Sequence, residues 1–587
     1  MVFRIAVFTV FLSLVLVGCK KDKPDGGGGA QAGAQGAGQQ GTQGSGTQAA
    51  QVDKKAPEGC NSDLSQKIEV DFSFTEKCSP YTVSGELYVD GWTLTIEPGV
   101  EVRFKDQGAL YVAYGAVGRL VVKGTPEKPV KFTGERKEAG AWKTIALYER
   151  AEQSSIENAV IEFAGAGEHP ALGVQAGDVT LKGLAFVSVK GAALKAESEK
   201  PMKAISGLDL SKAGGDPDAL VLLHVINAGL LGAGNLYPEK AVITLAGNVD
   251  REVKLTAQGA PFRVAGELYV NAAEGKSASL TIEAGTTMQM SENAAIYVGY
   301  SGPGAFKVVG TKDKPVVFTR YGDDPKATPW KGIAFHGGAR APEIDFAVFE
   351  YAGRPDEAVL HFLDGRGLGK ITNTTFRHSG ATGIKIAGPK ARFEAFDGNV
   401  FDDVAGPALD TPLEFAHALG AGNKLGSSAV HLREATHHDT TLTALDGPYW
   451  LRGEVYVDGE TGKPATLTVQ PGAKLKFLEG AALYVGYSAP AKLIAKGAAD
   501  KAITFEALEG AWRGVHGYGA ATVELDGVTI SGVGDDDHPL VLDADSKGEV
   551  KGLTLKGTKK GVKACGSKAT VSGVKADKGV AAQEKCD

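Results

Sequence analysis

The strongest constraint on this chain of 587 residues is that it repeats itself at long range. The segment Gly85-Glu-Leu-Tyr-Val89 returns as Gly266-Glu-Leu-Tyr-Val270 and again as Gly453-Glu-Val-Tyr-Val457. The same landmarks follow each copy. Leu94-Thr-Ile-Glu-Pro-Gly99 returns as Leu280-Thr-Ile-Glu-Ala-Gly285 and Leu467-Thr-Val-Gln-Pro-Gly472, and Leu110-Tyr-Val112 as Ile296-Tyr-Val298 and Leu483-Tyr-Val485. Lys128-Pro-Val-Lys-Phe132 is echoed by Lys314-Pro-Val-Val-Phe318 and Lys501-Ala-Ile-Thr-Phe505. Trp142-Lys-Thr-Ile145, Trp330-Lys-Gly-Ile333 and Trp512-Arg-Gly-Val515 close each series. The spacing between equivalent landmarks is nearly constant, from Gly85 to Gly266 to Gly453 as from Trp142 to Trp330 to Trp512. Such repetition overrides the several independent domains that length alone suggests. It predicts three copies of one long unit, over residues 58–236, 237–424 and 425–587.

Within each copy, short segments alternate apolar and polar residues with period two, as in Leu94 and Ile96 or Val100, Val102 and Phe104, and Gly-rich turns separate them. Glycine occupies 80 positions, about twice ordinary usage, as many tight turns require. The Pro98-Gly99 and Pro471-Gly472 pairs suit type II turns. The middle copy keeps Gly285 but has Ala284 for the proline, which marks the glycine as the steric requirement. Helical patterns are short and confined to Ala219–Leu230 and Thr411–Leu419, where only brief helical turns are expected. A unit this long exceeds a propeller blade, and no Pro/Gly/Ser linker separates the copies as it would in a string of sandwiches. A continuous solenoid is the better reading, with three sandwich domains in series as the alternative.

The strand-turn blocks Leu94 to Phe104, Gly124-Thr125 to Phe132, Trp330-Lys-Gly-Ile333, Ile344 to Glu350 and Ile371 to Phe376 resemble right-handed parallel β-helix proteins of bacterial cell surfaces, which share a topology with pectate lyases. The resemblance spans about residues 66 to 575. It implies an all-β rod with coils of roughly 20 to 25 residues, whose exposed end edges need caps.

The N-terminus carries a separate message. Ile5 to Val17 is an apolar run too short to span a bilayer, and it ends at Leu16-Val17-Gly18-Cys19. This resembles a bacterial lipoprotein signal, which implies a signal peptide over 1–18, acylation at Cys19 and attachment to a membrane. Lys20 after the cysteine resembles lipoproteins sorted to the outer membrane. Residues 19–57 then form a Gly/Gln/Ala-rich tether unable to bury a core. Setting Cys19 aside, Cys60 with Cys78 and Cys565 with Cys586 make two sequence-local pairs, read as disulfides on the two end caps.

Residues with chemical potential are scattered. His437-His438-Asp439 and Asp535-Asp536-Asp537 are read as solvated turns rather than metal sites, since neither has the spacing of zinc or calcium ligands. Glu168-His169-Pro170 and Asp537-His538-Pro539 offer carboxylate and imidazole but occupy equivalent points of different copies, so they cannot share one centre. The middle copy reads Asp356-Glu357-Ala358. Trp142, Trp330 and Trp512 hold one recurring place and read as packing residues, whereas Trp92 and Trp450 leave a sugar contact open. The net charge of −7 argues against nucleic acid, and the sequence has neither a Gly-Lys-Ser/Thr phosphate loop nor a Gly-x-Ser-x-Gly nucleophile elbow.

The expectation is therefore a monomeric, cofactor-free, metal-free envelope rod that is structural, adhesive or glycan-contacting, with polysaccharide or envelope proteins as partners. A polysaccharide lyase or hydrolase on the same scaffold is the alternative. A row of acidic and Arg/Lys side chains in a groove on one face would favour it.

Overall fold

The computed structural model describes Cys60 and residues 63–584, apart from 325–327, 355, 365–368, 388–392, 461 and 565. The lipobox expected at Cys19, the tether expected over 19–57, and Cys565 and Cys586 lie outside the described residues.

The chain is a parallel β-solenoid, almost entirely β. Its ladders are parallel, and within a row a strand pairs with those one coil before and one coil after it, as Leu280–Ile282 does with Val253–Leu255 below and Phe306–Val308 above. Alternation explains the packing. In Ala278–Glu283 the side chains of Ala278, Leu280 and Ile282 are buried while Ser279, Thr281 and Glu283 face outward. Repeated in every coil, this builds one continuous apolar core running from Ile68 to Val562. At the Pro-Gly corners, Gly99, Gly285 and Gly472 adopt φ of +79°, +79° and +90°. Ala284 fits because only the glycine has to enter the left-handed region.

Coil length is more variable than the resemblance implied. Ile243 pairs with Phe262 in the next coil, whereas Ile296 pairs with Ile333, almost twice as far along the chain. The ladders constrain only the strands, so corner loops such as the one after Val316–Arg320 lengthen a coil without disturbing its register. Helix is limited, among the described residues, to the α-turn Val225–Ala228 and three 3-10 turns, the longest being Leu413–Ala418.

Those two helical turns mark places where the wall of the solenoid is rearranged. One row of strands runs from Tyr88 through Tyr111, Ala146, Gly173, Lys195, Leu222, Thr244 and Arg263 to Gln289. The neighbouring rows do not continue with it: a six-stranded sheet starts at Glu252–Leu255 and a twelve-stranded sheet at Glu267–Val270. After Leu413–Ala418 the event is repeated. The twelve-stranded sheet runs on, while new sheets start at Ala435–Thr436 and Thr440–Leu442. Each site contains a short coil, Ile243 to Phe262 and Val430 to Tyr449, and an asparagine that ties coils together. Asn235 accepts from the Leu208 amide at 2.9 Å, and Asn423 accepts from the Asn399 amide at 3.1 Å.

At the N-terminal end Cys60 and Cys78 are disulfide-bonded, with Cα atoms 5.3 Å apart, beside the edge strand Asp63–Ile68. No described helix is long and apolar enough to cross a membrane.

Candidate functional site

The outward side chains of the Gly-Glu-Leu/Val-Tyr-Val strands build the same surface cluster three times. Tyr88 lies beside Tyr111 of the next coil, with ring centroids 5.3 Å apart; the corresponding pairs are Tyr269 with Tyr297 at 5.1 Å and Tyr456 with Tyr484 at 5.2 Å. A third tyrosine arrives from the loop after the second strand. Tyr114, Tyr300 and Tyr487 stand 5.7, 5.7 and 5.6 Å from the first ring of their clusters and are 63%, 62% and 61% exposed. A further ring meets each edge-on: Tyr148 at 5.1 Å, His336 at 4.9 Å and Tyr518 at 5.3 Å.

The loop carrying the exposed tyrosine is held in place from the preceding coil. Asp90 accepts from the Gly115 amide at 3.1 Å, Asn271 from Ser301 at 3.4 Å, and Asp458 from the Ser488 amide at 3.1 Å and its hydroxyl at 3.0 Å. The residue before each tyrosine, Ala113, Gly299 or Gly486, is left-handed, with φ of +60°, +71° and +73°. That kink turns the ring out of the ladder.

Each platform has an ion pair at its edge. The Tyr88 hydroxyl donates to Glu86 Oε2 at 2.6 Å, and Lys143 donates to Glu86 Oε1 at 2.8 Å. Tyr269 and Lys331 do the same to Glu267 at 2.7 and 3.0 Å, and Tyr456 and Arg513 to Glu454 at 2.6 and 3.0 Å. The bonds from Lys143 and then Tyr88 hold the Glu86 carboxyl below the usual range. At Glu267 and Glu454 the tyrosine is the larger cause. The same bonds push Tyr269 and Tyr456 up to about 12, so the phenols stay protonated donors.

Beyond the shared parts the surroundings differ. The first platform opens onto a groove of about 660 Å³ lined by Tyr111, Tyr148, His169, Lys195 and Glu197. The second adjoins a pocket of about 160 Å³ lined by Tyr297, Lys331, His336, Glu357 and His361. The row continuing from Tyr297 along the twelve-stranded sheet passes through Ala334, His361, Lys385, Asp410, His431 and Trp450. His431 stacks on Trp450 at 4.8 Å. Burial pushes the His361 imidazole down to about 4 and lowers His336 and His431. Nε2 of each of these three histidines, Nε1 of Trp450 and Oε2 of Glu357 are buried without a hydrogen-bond partner among the described residues.

The residues singled out from the sequence fall in different places. Trp142, Trp330 and Trp512 are fully buried; their indoles donate to the carbonyls of Glu162, Glu350 and Ser531, and the rings lie against Phe104, Phe318 and Phe477. Trp92 is 40% exposed. His169 faces the first groove, whereas His538 is turned to the Gly561 carbonyl at 3.1 Å. His437 meets the Asp458 carbonyl, and Asp439 accepts from the Thr466 amide, so this cluster joins coils. Among the described residues no three His, Cys, Asp or Glu side chains form a metal-binding set.

The tyrosine platforms are absent from the sequence reading, although their signal is present in the chain. The Tyr and Glu of the Gly-Glu-Leu-Tyr-Val block, the cation after each Trp and the Tyr after Ala113, Gly299 and Gly486 all recur. As landmarks they mark the repeat, and only their alternation with buried neighbours shows that they point outward.

Neither a curated protein nor a solved structure matches the chain. Residues 68–192 and 247–354 match the model of the pectate-lyase-like beta helix domain. These stretches hold the first two platforms, and over them the chain is similar to the pectate-lyase-like β-helix family.

Proposed function

We propose that this protein is an exported lipoprotein, held to the outer membrane through acylated Cys19, whose β-helix contacts envelope glycans without cleaving them. The observation that carries this reading is the threefold recurrence of an exposed tyrosine cluster with a carboxylate–cation pair at its rim. Packing does not require a ring that is three-fifths exposed, so its return at Tyr114, Tyr300 and Tyr487 calls for a contact made outside the protein. Exposed aromatic faces stack on the C–H faces of pyranose rings, while Glu86 with Lys143, and their counterparts, offer acceptors and donors to sugar hydroxyls. Because each ion pair is internally neutral, uncharged polysaccharides suit the platforms best. Attachment through several acyl chains, at about 0.8 kcal/mol per buried CH2, gives stable anchoring where one chain would not.

The test compares the full-length protein with a Tyr114→Ala/Tyr300→Ala/Tyr487→Ala variant on immobilised dextran, mixed-linkage β-glucan and poly-N-acetylglucosamine. Binding to at least one of these should fall tenfold or more at unchanged thermal stability. Equal binding by both proteins, or none by either, would overturn the reading. Cys19→Ser should separately release the protein from washed membranes.

A second reading, a polysaccharide lyase or hydrolase, is favoured by the unlike groups Lys385, Asp410 and His431 on adjoining coils, with Arg452 in the same groove. Depolymerisation of any acidic polysaccharide, lost in Asp410→Asn with the fold intact, would establish it.

A further inference from the structure

The three platforms do not share a face. The row that carries Tyr88 and Tyr111 runs on past Arg263 to Gln289, and Gln289 belongs to the strand Thr287–Met290 that precedes the second platform's Tyr297 strand in the same coil. Tyr269 and Tyr297 lie instead on the twelve-stranded sheet. That sheet in turn runs through Trp450 to Lys476, not to the third platform. Tyr456 and Tyr484 lie on a separate seven-stranded sheet. At both rearrangements the platform moves to the face next reached by the chain as it winds, so the two displacements have the same sense. With three strands per coil, as in Glu267–Val270, Ala278–Glu283 and Thr287–Met290, the three platforms occupy three different faces.

Their spacing along the axis is regular. Seven rung steps separate Tyr88 from Arg263, whose coil holds Tyr269, and seven separate Tyr269 from Trp450, whose coil holds Tyr456. At about 4.8 Å per rung each interval is on the order of 34 Å. A polysaccharide lying along the solenoid would follow one row, and no row carries two platforms. To touch all three, one chain would have to wind around the body once in about 100 Å, bending continuously against its own stiffness.

Resting on the glycan-contacting reading, we infer that the protein is a bridging element: each platform takes a separate neutral polysaccharide chain, and the solenoid holds two or three such chains apart and together. Repeated sites on one face would raise affinity for a single strand through avidity. Sites on different faces gain little that way and instead join strands.

The experiment uses full-length protein, beads carrying covalently coupled polysaccharide (dextran, mixed-linkage β-glucan or poly-N-acetylglucosamine) and the same polysaccharide in soluble fluorescent form. Bead-bound protein should capture fluorescent chain. Variants keeping a single platform, such as Tyr300→Ala/Tyr487→Ala, should occupy the beads with affinity within about threefold of any other single-platform variant, yet capture at least tenfold less fluorescent chain. Bead binding by the unaltered protein without capture would overturn bridging and leave the glycan-contacting reading standing. Undiminished capture by single-platform variants would also overturn it, by tracing bridging to association between protein copies. No bead binding by any form would remove both.

Discussion

Each landmark series contributes a buried aromatic and an exposed one, and both recur three times. Trp142, Trp330 and Trp512 are sealed in the core with their N–H groups satisfied, whereas Tyr114, Tyr300 and Tyr487 stand more than three-fifths exposed on loops. Recurrence by itself is therefore ambiguous. A tryptophan that fills the same corner of three coils is retained by packing alone, while a tyrosine that fills nothing is maintained by something it touches. Burial separates the two, and burial is a property of the fold.

The buried member should give the largest effect. Trp330→Ala should cost about 3–5 kcal/mol through the cavity it leaves, seen as a lower urea midpoint, with binding per folded molecule unchanged. A loss under about 1 kcal/mol would place the indole outside the packing class. Next in size is the tie between inside and outside. Asp458, 4% exposed, holds the Tyr487 loop, so Asp458→Ala should cost about 1–3 kcal/mol and speed amide exchange at 486–488 while leaving 299–301 alone. Uniform exchange would show the loop is held by other means.

Acid should act on the half-buried row beside the second platform. Desolvation lowers His361 to about 4, with Lys385 and His336 acting in the same direction and Asp410 against it. Below about pH 6.5 the unfolded chain binds a proton that the folded one refuses. Stability is thus complete above that pH and declines as pH falls toward 4. Because His361 is only partly buried the loss should be roughly 1 kcal/mol, discounted for screening, and His361→Gln should reduce it in thermal melts taken from pH 7 to 4. A pH-independent melt of the unaltered protein would show that the imidazole is hydrated. The smallest effect belongs to the outside: Tyr300→Ala should shift stability by less than about 0.5 kcal/mol, and a larger loss would return that tyrosine to the packing class.

Much of this molecule is legible in the chain itself. Alternation in Leu94-Thr-Ile96, the Pro-Gly corners and the recurring landmarks name a parallel β-solenoid, because coil packing is a local matter that repeats. The Cys60–Cys78 pair is legible for the same reason, being close in sequence. The coil lengths are not, since loops leave the ladder without changing its pattern. Nor is the row His361, Lys385, Asp410, His431, whose intervals of 24, 25 and 21 residues are near one coil but unequal, so that the four align only because each coil closes at its own length.

What the amino-acid order determines by itself is which residues face in and which face out, since that follows from period two and from the turns that restart it. It also places a Glu, three Tyr and a cation in every series. Only the tertiary structure decides that Glu86 meets Lys143 across 57 positions, that the tyrosines form one surface, and that successive surfaces turn away from one another. The physical reason is register. The short coil from Ile243 to Phe262 and the long one from Ile296 to Ile333 stack as readily as two equal coils would, so the pairing of distant residues, and the face on which a platform emerges, depend on where the chain closes each turn.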